Sequence, residues 1–227
     1  MTYEGLRLKI QKIRRKGFAP LRRRELNTED FTIISNNCWG GMIYESYGLP
    51  KGSPTAGLFF MAPDYIRFLS ALDRCLRSEL TFIRPEHSRW ITAPEVSADP
   101  RFGTYPIGQL SAGGESIEIF FLHCRSEAEA HEKWTRRCQR VHHDKLLVKF
   151  NDQNGCSEED IRAFASLPFK NKVFFTCRHW PGEKEFARNM SAYCIVRQFP
   201  PSKSIRASFE PFGRSRKLDV TGLINSL

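Results

Sequence analysis

The chain has 227 residues, of which 41% are hydrophobic and 26% charged, a composition typical of one folded domain and not of a disordered chain. The formal net charge is +10, but residues 1–24 hold nine basic side chains and one acidic one, so residues 25–227 carry only the remaining +2. Because the excess charge is confined to a short segment, we expect no nucleic-acid partner. We predict a basic amphipathic arm over residues 1–26 and an α/β body domain over residues 27–227.

Within the arm, residues 3–16 have the pattern of an amphipathic helix. Leu6, Ile10 and Ile13 recur at the spacing of one helix face, and basic residues occupy the other faces. One interpretation places residues 1–24 on an anionic membrane surface. The other is a solvated terminal helix that packs on the body, and the pattern does not separate the two.

The rest of the composition concerns location. We find no run of about 20 apolar residues that would span a bilayer, and the N-terminus lacks the apolar stretch of a secretory signal. The seven cysteines follow no framework spacing, so we expect reduced thiols. These features predict a cytoplasmic protein, with peripheral contact at the inner face of the cell membrane if the arm binds lipid.

The first half of the body alternates apolar runs with turn residues. In chain order the pattern predicts a strand at 31–35, a polar glycine-rich turn at 36–41, a short helix at 42–47, a buried strand at 58–61, a helix at 63–78 and a strand at 80–83.

The second half begins with a proline-containing irregular loop at 84–104, interpreted as a possible lid. After it we predict strands at 105–110 and 116–123 around a turn at 112–114, a helix at 126–140 that starts with a Ser126–Glu129 capping box, a strand at 146–150, a helix at 157–167, strands at 172–176 and 193–197, and a helix at 218–227. The alternation predicts a single-domain, layered helix/sheet/helix fold with a mixed, mostly parallel sheet. We expect residues 31–35, 117–122, 146–150 and 172–176 to be neighbours in that sheet.

Several strings recur in a familiar order, among them ISNNCWGG at 34–41, GLFF at 57–60, YPIG at 105–108, FLH at 121–123 and VKFND at 148–152. Together they resemble the bacterial domain of unknown function (DUF) 1919 family over about residues 31–225. Members of that family are often named exopolysaccharide or capsular polysaccharide biosynthesis proteins. The resemblance implies a role in making surface polysaccharide, and it implies no particular reaction.

The turn after the first predicted strand is the strongest candidate for chemistry. A cysteine there, Cys38, lies at the carboxyl end of a strand and before a helix, where amides lower a thiol pKa and hold an oxyanion. Asn36 and Asn37 offer amide donors, and Gly40 and Gly41 would allow a ligand close to the main chain. The arrangement loosely resembles capsule acetyltransferases in which an Asn-Cys pair follows the first strand and coenzyme A is the acyl donor. The alternative is a buried cysteine in a tight turn.

Two further strand ends carry polar residues. His123 would be a general base for Cys38 or for a sugar hydroxyl, or else would fill a strand–helix corner. Asn151 and Asp152 follow the strand at 146–150, and Asp152 would orient His123, hold a metal-bound diphosphate or bind a sugar hydroxyl. Turn chemistry explains the same pair without any function.

A last cluster follows the strand at 172–176. Arg178 would bind a phosphate or carboxylate, and Trp180, together with Trp39, would form apolar walls on which a sugar or adenine stacks. The spacing of His142 and His143 does not match a metal site, so we expect no metal.

These features predict a transferase acting on a sugar or lipid-linked saccharide, with acyl transfer from acetyl-coenzyme A as the favoured reaction and no tightly bound cofactor. Two alternatives stay open: a glycosyltransferase that uses a nucleotide sugar, and a non-catalytic sugar-binding or assembly protein.

Overall fold

The structure, a computed structural model, describes residues 3–198, 202–207, 210 and 218–227. The helices in these ranges are α1 (Tyr3–Gly17), α2 (Ala19–Arg23), α3 (Trp39–Ser46), α4 (Ala62–Ser70), α5 (Leu72–Arg77), α6 (Pro94–Ser97), α7 (Glu127–Cys138), α8 (Glu158–Ser166), α9 (Glu183–Arg188) and α10 (Val220–Asn225). The strands are β1 (Thr32–Ser35), β2 (Thr81–Ile83), β3 (Ile107–Ala112), β4 (Glu115–Phe120), β5 (Leu146–Asn151), β6 (Asn171–Thr176) and β7 (Ala192–Ile195).

The strands form two sheets rather than one. One sheet has the order β1-β5-β6-β7, with every pair parallel, and the other has the order β2-β3-β4, with antiparallel pairs. The predicted α/β class is confirmed, but the placement of residues 117–122 in the parallel sheet is wrong. Gly113 and Gly114 have φ angles of 66° and 86°, and this tight turn folds β4 back onto β3.

The parallel sheet is buried on both faces. Side chains alternate across a strand, so Ile33 and Leu147 join the core under α3 and α10, whereas Ile34 and Val148 join the core under α4, α7 and α8. This is the predicted helix/sheet/helix layering. It leaves the strand ends as the part of the sheet where polar groups can gather.

Two predicted elements differ in detail. The helix predicted at 63–78 is divided between α4 and α5 at Ala71, whose φ and ψ of −125° and 31° are not helical. The strand predicted at 58–61 is instead an extended connection that pairs with β4 at a single position, Phe59 with Phe120.

The predicted capping box of α7 is only half formed. The Ser126 hydroxyl accepts from the Glu129 amide at 3.2 Å, but the Glu129 carboxylate accepts from the Arg125 amide, one residue earlier than the motif requires. A complete capping box lies instead at the start of α8, between Ser157 and Asp160.

The extended connection joins the two sheets. Phe59 and Phe120 exchange two backbone hydrogen bonds of 3.0 Å, and the next amide, that of Phe60, donates to the Asn36 carbonyl at 3.1 Å. Asn36 directly follows β1 and Phe120 ends β4. The connection therefore places the end of an antiparallel strand beside the carboxyl end of β1.

The segment predicted as an irregular loop, residues 84–104, is attached to the body by two buried carboxylates. Asp64, on α4, is fully buried and accepts a 2.7 Å hydrogen bond from the Trp90 indole, and it also pairs with Arg89. Glu118 on β4 accepts from the Ser88 hydroxyl at 2.6 Å. These contacts fix residues 88–90 against the body, so this part of the loop is not a free lid.

The N-terminal helix forms as predicted, and α2 continues into the body. Ala19 and Arg22 on α2 are buried, and Arg22 Nη1 donates to the Ser46 carbonyl on α3 at 2.8 Å. No helix in the described part of the chain is long and apolar enough to cross a membrane.

Candidate active site

Two of the side chains predicted to be catalytic meet at the carboxyl end of β1. Cys38 Sγ lies 3.6 Å from His123 Nε2, within reach of a sulfur–nitrogen hydrogen bond. Cys38 caps the N-terminus of α3 and is partly exposed, and His123 is exposed in the turn between β4 and α7. The sequence pattern predicts this encounter through parallel strands. The structure achieves it through the connection between the two sheets.

The electrostatics of the pair favour neutral partners. Burial raises the pKa of the Cys38 thiol above its ordinary value, and the positive charges of Lys51, Lys149 and Arg101 only partly oppose this. Although His123 is exposed as a residue, its imidazole is partly enclosed by protein, and this desolvation, followed by the charges of Lys51 and Arg101, lowers its pKa. At neutral pH the pair is therefore a thiol beside a neutral imidazole, and the expectation that the start of a helix lowers the pKa of Cys38 is not met.

The main-chain amides of the turn are already engaged. The Trp39 amide donates to Asn37 Oδ1 at 3.1 Å, and the Gly40 amide donates to Ser35 Oγ at 3.2 Å. These two amides satisfy side chains of the protein itself, so the predicted oxyanion site cannot be built from them as they stand. The positive charges that act on Cys38 are instead those of the side chains Lys51, Lys149 and Arg101.

The asparagines of the turn face inward, toward a buried ion pair. Lys149 on β5 is fully buried, with its Nζ 2.7 Å from Glu210 Oε1, 3.1 Å from Asn37 Oδ1 and 3.4 Å from Asn36 Oδ1. Burial lowers the pKa of Lys149 and raises that of Glu210, while each charge offsets part of this effect on the other. Their side-chain NH2 groups also donate within the protein, Asn36 to the Asn151 carbonyl and Asn37 to Asn151 Oδ1 and Gln153 Oε1. Asn36 and Asn37 therefore stabilise the turn that carries Cys38, and they are not placed to donate to a substrate.

Asn151 and Asp152 are also used internally. The side-chain Nδ2 of Asn151 donates to the Ile205 carbonyl at 2.6 Å, and the main-chain amide of Ile205 donates to Asp152 Oδ1 at 2.9 Å. Thr176 Oγ1 donates to the other carboxylate oxygen of Asp152 at 2.7 Å. With both oxygens engaged in this buried network, the hypothesis that Asp152 orients His123 is not supported by the structure, and burial raises the pKa of Asp152.

Three residues of the turn have packing roles. Trp39 is fully buried against Phe175, with ring centroids 5.5 Å apart, so it is not an exposed wall. A Cβ atom on Gly40 would lie 2.9 Å from Ser35 Oγ, and one on Gly41 would lie 3.6 Å from Ala56. The two glycines therefore let α3 pack closely against Ser35 and Ala56 of the protein itself. The prediction that they make room for a ligand is not supported.

The Arg178–Trp180 pair lies at the same sheet edge but two strands away. The Arg178 guanidinium stacks 3.8 Å from the centre of the Trp180 ring, and the indole donates to Thr176 Oγ1 at 3.1 Å. Both residues follow β6, and β5 separates that strand from β1. They belong with the Asp152 network rather than with the Cys38–His123 pair.

Three residues that influence the pair carry no signal in the sequence. Lys51 and Arg101 come from loops, where no periodicity marks them. Gly57 has a φ angle of 88°, and a Cβ atom there would lie 3.5 Å from His123 Cδ2, so the imidazole rests against a left-handed glycine. Lys149, the one lysine within the apolar run of β5, could have predicted the buried ion pair from sequence, because a buried charge requires a partner.

The fold and the site together define an α/β protein with a cysteine–histidine pair at the carboxyl edge of a parallel sheet. Comparison with known proteins then names the family. Residues 9–210 match the model described as domain of unknown function (DUF1919), and the chain belongs to this family. It is 34% identical over 194 residues to an uncharacterized protein of Haemophilus influenzae, a match that covers 86% of this chain and 81% of that protein.

Proposed function

We propose that this protein is a transferase in the biosynthesis of exopolysaccharide or capsular polysaccharide, and that it moves an acyl group from a coenzyme A thioester to a sugar hydroxyl. The observation that carries the chemistry is the 3.6 Å separation of Cys38 Sγ and His123 Nε2. A nucleophile within reach of a base is the arrangement that covalent acyl transfer requires. The polysaccharide role rests on the family resemblance alone.

In the first half-reaction, neutral His123 accepts the thiol proton while Cys38 Sγ attacks the thioester carbonyl carbon. A new sulfur–carbon bond forms, the coenzyme A thiolate leaves, and the imidazolium returns the proton to it. The lowered pKa of His123 keeps the imidazole in the base form at neutral pH. The product of this half is acyl-Cys38.

In the second half-reaction, the acceptor hydroxyl loses its proton to His123 and attacks acyl-Cys38. The Cys38 thiolate leaves and takes the proton back from the imidazolium, which restores the starting pair. The positive charges of Lys51 and Arg101 act on the Cys38 thiol, and they would stabilise the negative charge that develops in both halves. Lys51 and Arg101 would thus stabilise the oxyanion in place of the main-chain amides of Trp39 and Gly40, which already donate to Asn37 and Ser35.

The test is to incubate the purified protein with acetyl-coenzyme A and to measure its intact mass, followed by peptide mapping. We expect one acetyl group on Cys38, absent from Cys38→Ala. Cys177→Ala is the matched control, because Cys177 is a partly exposed free cysteine that follows β6 at the same sheet edge. Acetylation that persists in Cys38→Ala, or none in the wild type, would count against the proposal.

One observation favours a second candidate, the glycosyltransferase. Because the pKa of Cys38 is raised, the exposed His123 can instead deprotonate a sugar hydroxyl directly, with Cys38 as a bystander. In that case Cys38→Ala would retain turnover with a nucleotide sugar and His123→Ala would not. A non-catalytic sugar-binding protein would tolerate both substitutions without loss of binding.

We also propose that α1 brings the protein to the inner, anionic face of the cell membrane. Its apolar stripe is solvent-exposed, with 50% of Leu6, 47% of Ile10 and 70% of Ile13 accessible. Exposed cations, including Lys9 and Lys12, flank the stripe. An exposed apolar face bordered by positive charge complements the boundary between anionic headgroups and acyl chains.

A further inference from the structure

A small pocket opens beside His123, between the loop at residues 51–57 and α7. It has a volume of about 70 Å³, and its charged lining comes from Lys51, Lys133 and Arg137 together with the His123 ring. No aspartate or glutamate lines it. Since one water molecule needs only about 10–15 Å³ of such space, the pocket has room for a polar group of several atoms at the end of a larger substrate.

The three cations differ in how far the protein already satisfies them. Lys133 Nζ lies 2.5 Å from Glu129 Oε1 and 3.4 Å from the His123 carbonyl, so its donors are largely engaged. Arg137 Nη1 donates to the Ala56 carbonyl at 2.7 Å, which leaves most of the five guanidinium N–H groups for another acceptor. In the described part of the chain, no carboxylate lies within ion-pair distance of Arg137 or Lys51.

An unneutralised arginine in a half-buried site is costly without an anion, because burial disfavours its charged form. Burial does lower the pKa of Arg137. The pocket adjoins the reactive pair, since His123 lines it, Lys51 acts on the pKa of both Cys38 and His123, and Lys133 acts on that of His123. The charges of Arg137 and Lys51 thus lack a negative partner, and the pocket that they line lies beside His123, where a substrate would bind.

We propose that this pocket, formed by Lys51, Lys133 and Arg137, binds a phosphoryl group of the substrate and so positions it against His123 and Cys38. Arg137 supplies a planar fork of donors for phosphate oxygens and Lys51 a mobile point charge. The inference deepens the proposed function, and it rests on that function only for the identity of the transferred group. A phosphoryl group is common to coenzyme A, nucleotide sugars and lipid-linked diphosphate sugars.

The test measures equilibrium binding and requires no turnover. Isothermal titration calorimetry on Cys38→Ala would use pyrophosphate, coenzyme A, dephospho-coenzyme A and UDP-glucose as the titrants. We expect Arg137→Gln and Lys51→Gln to raise the Kd of at least one of these ligands about tenfold, the scale of one lost charged hydrogen bond. Arg136→Gln is the matched control, because Arg136 is a neighbour on the same helix that pairs with Glu132 outside the pocket.

The pattern across ligands identifies the source of the phosphate. An effect on coenzyme A but not on dephospho-coenzyme A assigns the pocket to the 3′-phosphate, and an effect on all four assigns it to a diphosphate. Lys51 is exposed, so Lys51→Gln reports on binding even if Arg137→Gln, which loses the contact with Ala56, fails to fold. Affinities that equal those of Arg136→Gln for every ligand would overturn the proposal, whether or not acyl-Cys38 forms.

Discussion

The carboxyl edge of the parallel sheet has two halves that share a sequence pattern and differ in exposure. At the end of β1, Cys38 is partly exposed and His123 is exposed, and the two side chains face each other. At the ends of β5 and β6, Asn151, Asp152 and Thr176 are buried. The backbone of Ile205, which comes 53 residues after Asp152, occupies the positions that a ligand would take.

The comparison shows what a strand followed by polar residues does and does not predict. The pattern marks the edge where polar groups gather, because parallel strands all end on the same side. Whether that edge is open depends on what a distant part of the chain places over it. One half keeps an accessible thiol–imidazole pair, and the other becomes a closed hydrogen-bonded network that stabilises the fold.

The largest effect on stability should come from the closed half. We expect Lys149→Met to lower the free energy of unfolding by about 3–5 kcal/mol, because it leaves Glu210 as a buried charge without its partner. Urea denaturation measures this loss. The double variant with Glu210→Leu is the control and should recover much of the loss. If Lys149→Met were as stable as the wild type, the Lys149–Glu210 ion pair would not stabilise the contact between β5 and residue 210.

A smaller loss separates structure from catalysis at Asp152. We expect Asp152→Asn to cost about 1–3 kcal/mol of unfolding free energy, since it weakens the hydrogen bonds with Thr176 and Ile205. Acylation of Cys38 in the folded fraction should stay at the wild-type rate. Asp144→Asn, at an exposed aspartate, controls for the loss of charge. Slower acylation with unchanged stability would restore Asp152 as the partner of His123.

The membrane proposal concerns a third region, outside both halves. In the variants Lys9→Gln and Lys12→Gln, we expect each lost charge to weaken binding to anionic vesicles by about 1 kcal/mol. Removal of residues 1–24 is a less clean test, since it also deletes buried Arg22. Co-sedimentation with vesicles measures the effect, and Lys184→Gln with Lys203→Gln controls for net charge. Equal vesicle binding by both sets of variants would instead support the alternative, a solvated terminal helix that packs on the body and does not bind the membrane.

The smallest effect is a pH dependence that belongs to the open half. The pKa of His123 is lowered in the folded protein. Between the lowered pKa of folded His123 and about pH 6.5, the ordinary histidine value, the unfolded chain therefore binds a proton that the folded protein does not. The free energy of unfolding should fall with falling pH in this range. His123→Gln should flatten this dependence and His131→Gln should not; identical slopes in all three proteins would contradict the assignment.

Local patterns predicted most of the elements, and long-range pairing explains the errors. The strands β1, β5 and β6 and the helices α7 and α8 lie within a few residues of their predicted positions. Periodicity does not reveal which strand pairs with which, so β4 was assigned to the wrong sheet. The same limit applies at the site: the role of Asp152 depends on Ile205.

Cys38 and His123 were both found from their places after strands, although the reason for their meeting was not. Their encounter depends on the Phe59–Phe120 bridge, a single pairing between segments far apart in the chain. Lys51, Arg101 and Arg137 come from two loops and an ordinary helix face. Only the folded chain shows that Lys51 and Arg137 line one pocket with His123, and that Lys51 and Arg101 both lower the pKa of this histidine.

The central claim is that His123 activates Cys38, and the rate at which acyl-Cys38 forms tests it most directly. Rapid-quench mixing with acetyl-coenzyme A, followed by intact mass measurement, would give this rate for the wild type, for His123→Ala and for the control His131→Ala. We predict that His123→Ala keeps the fold but acylates at least about 100-fold more slowly, the scale of lost acid–base catalysis, while His131→Ala matches the wild type. Equal rates in all three proteins would contradict the claim.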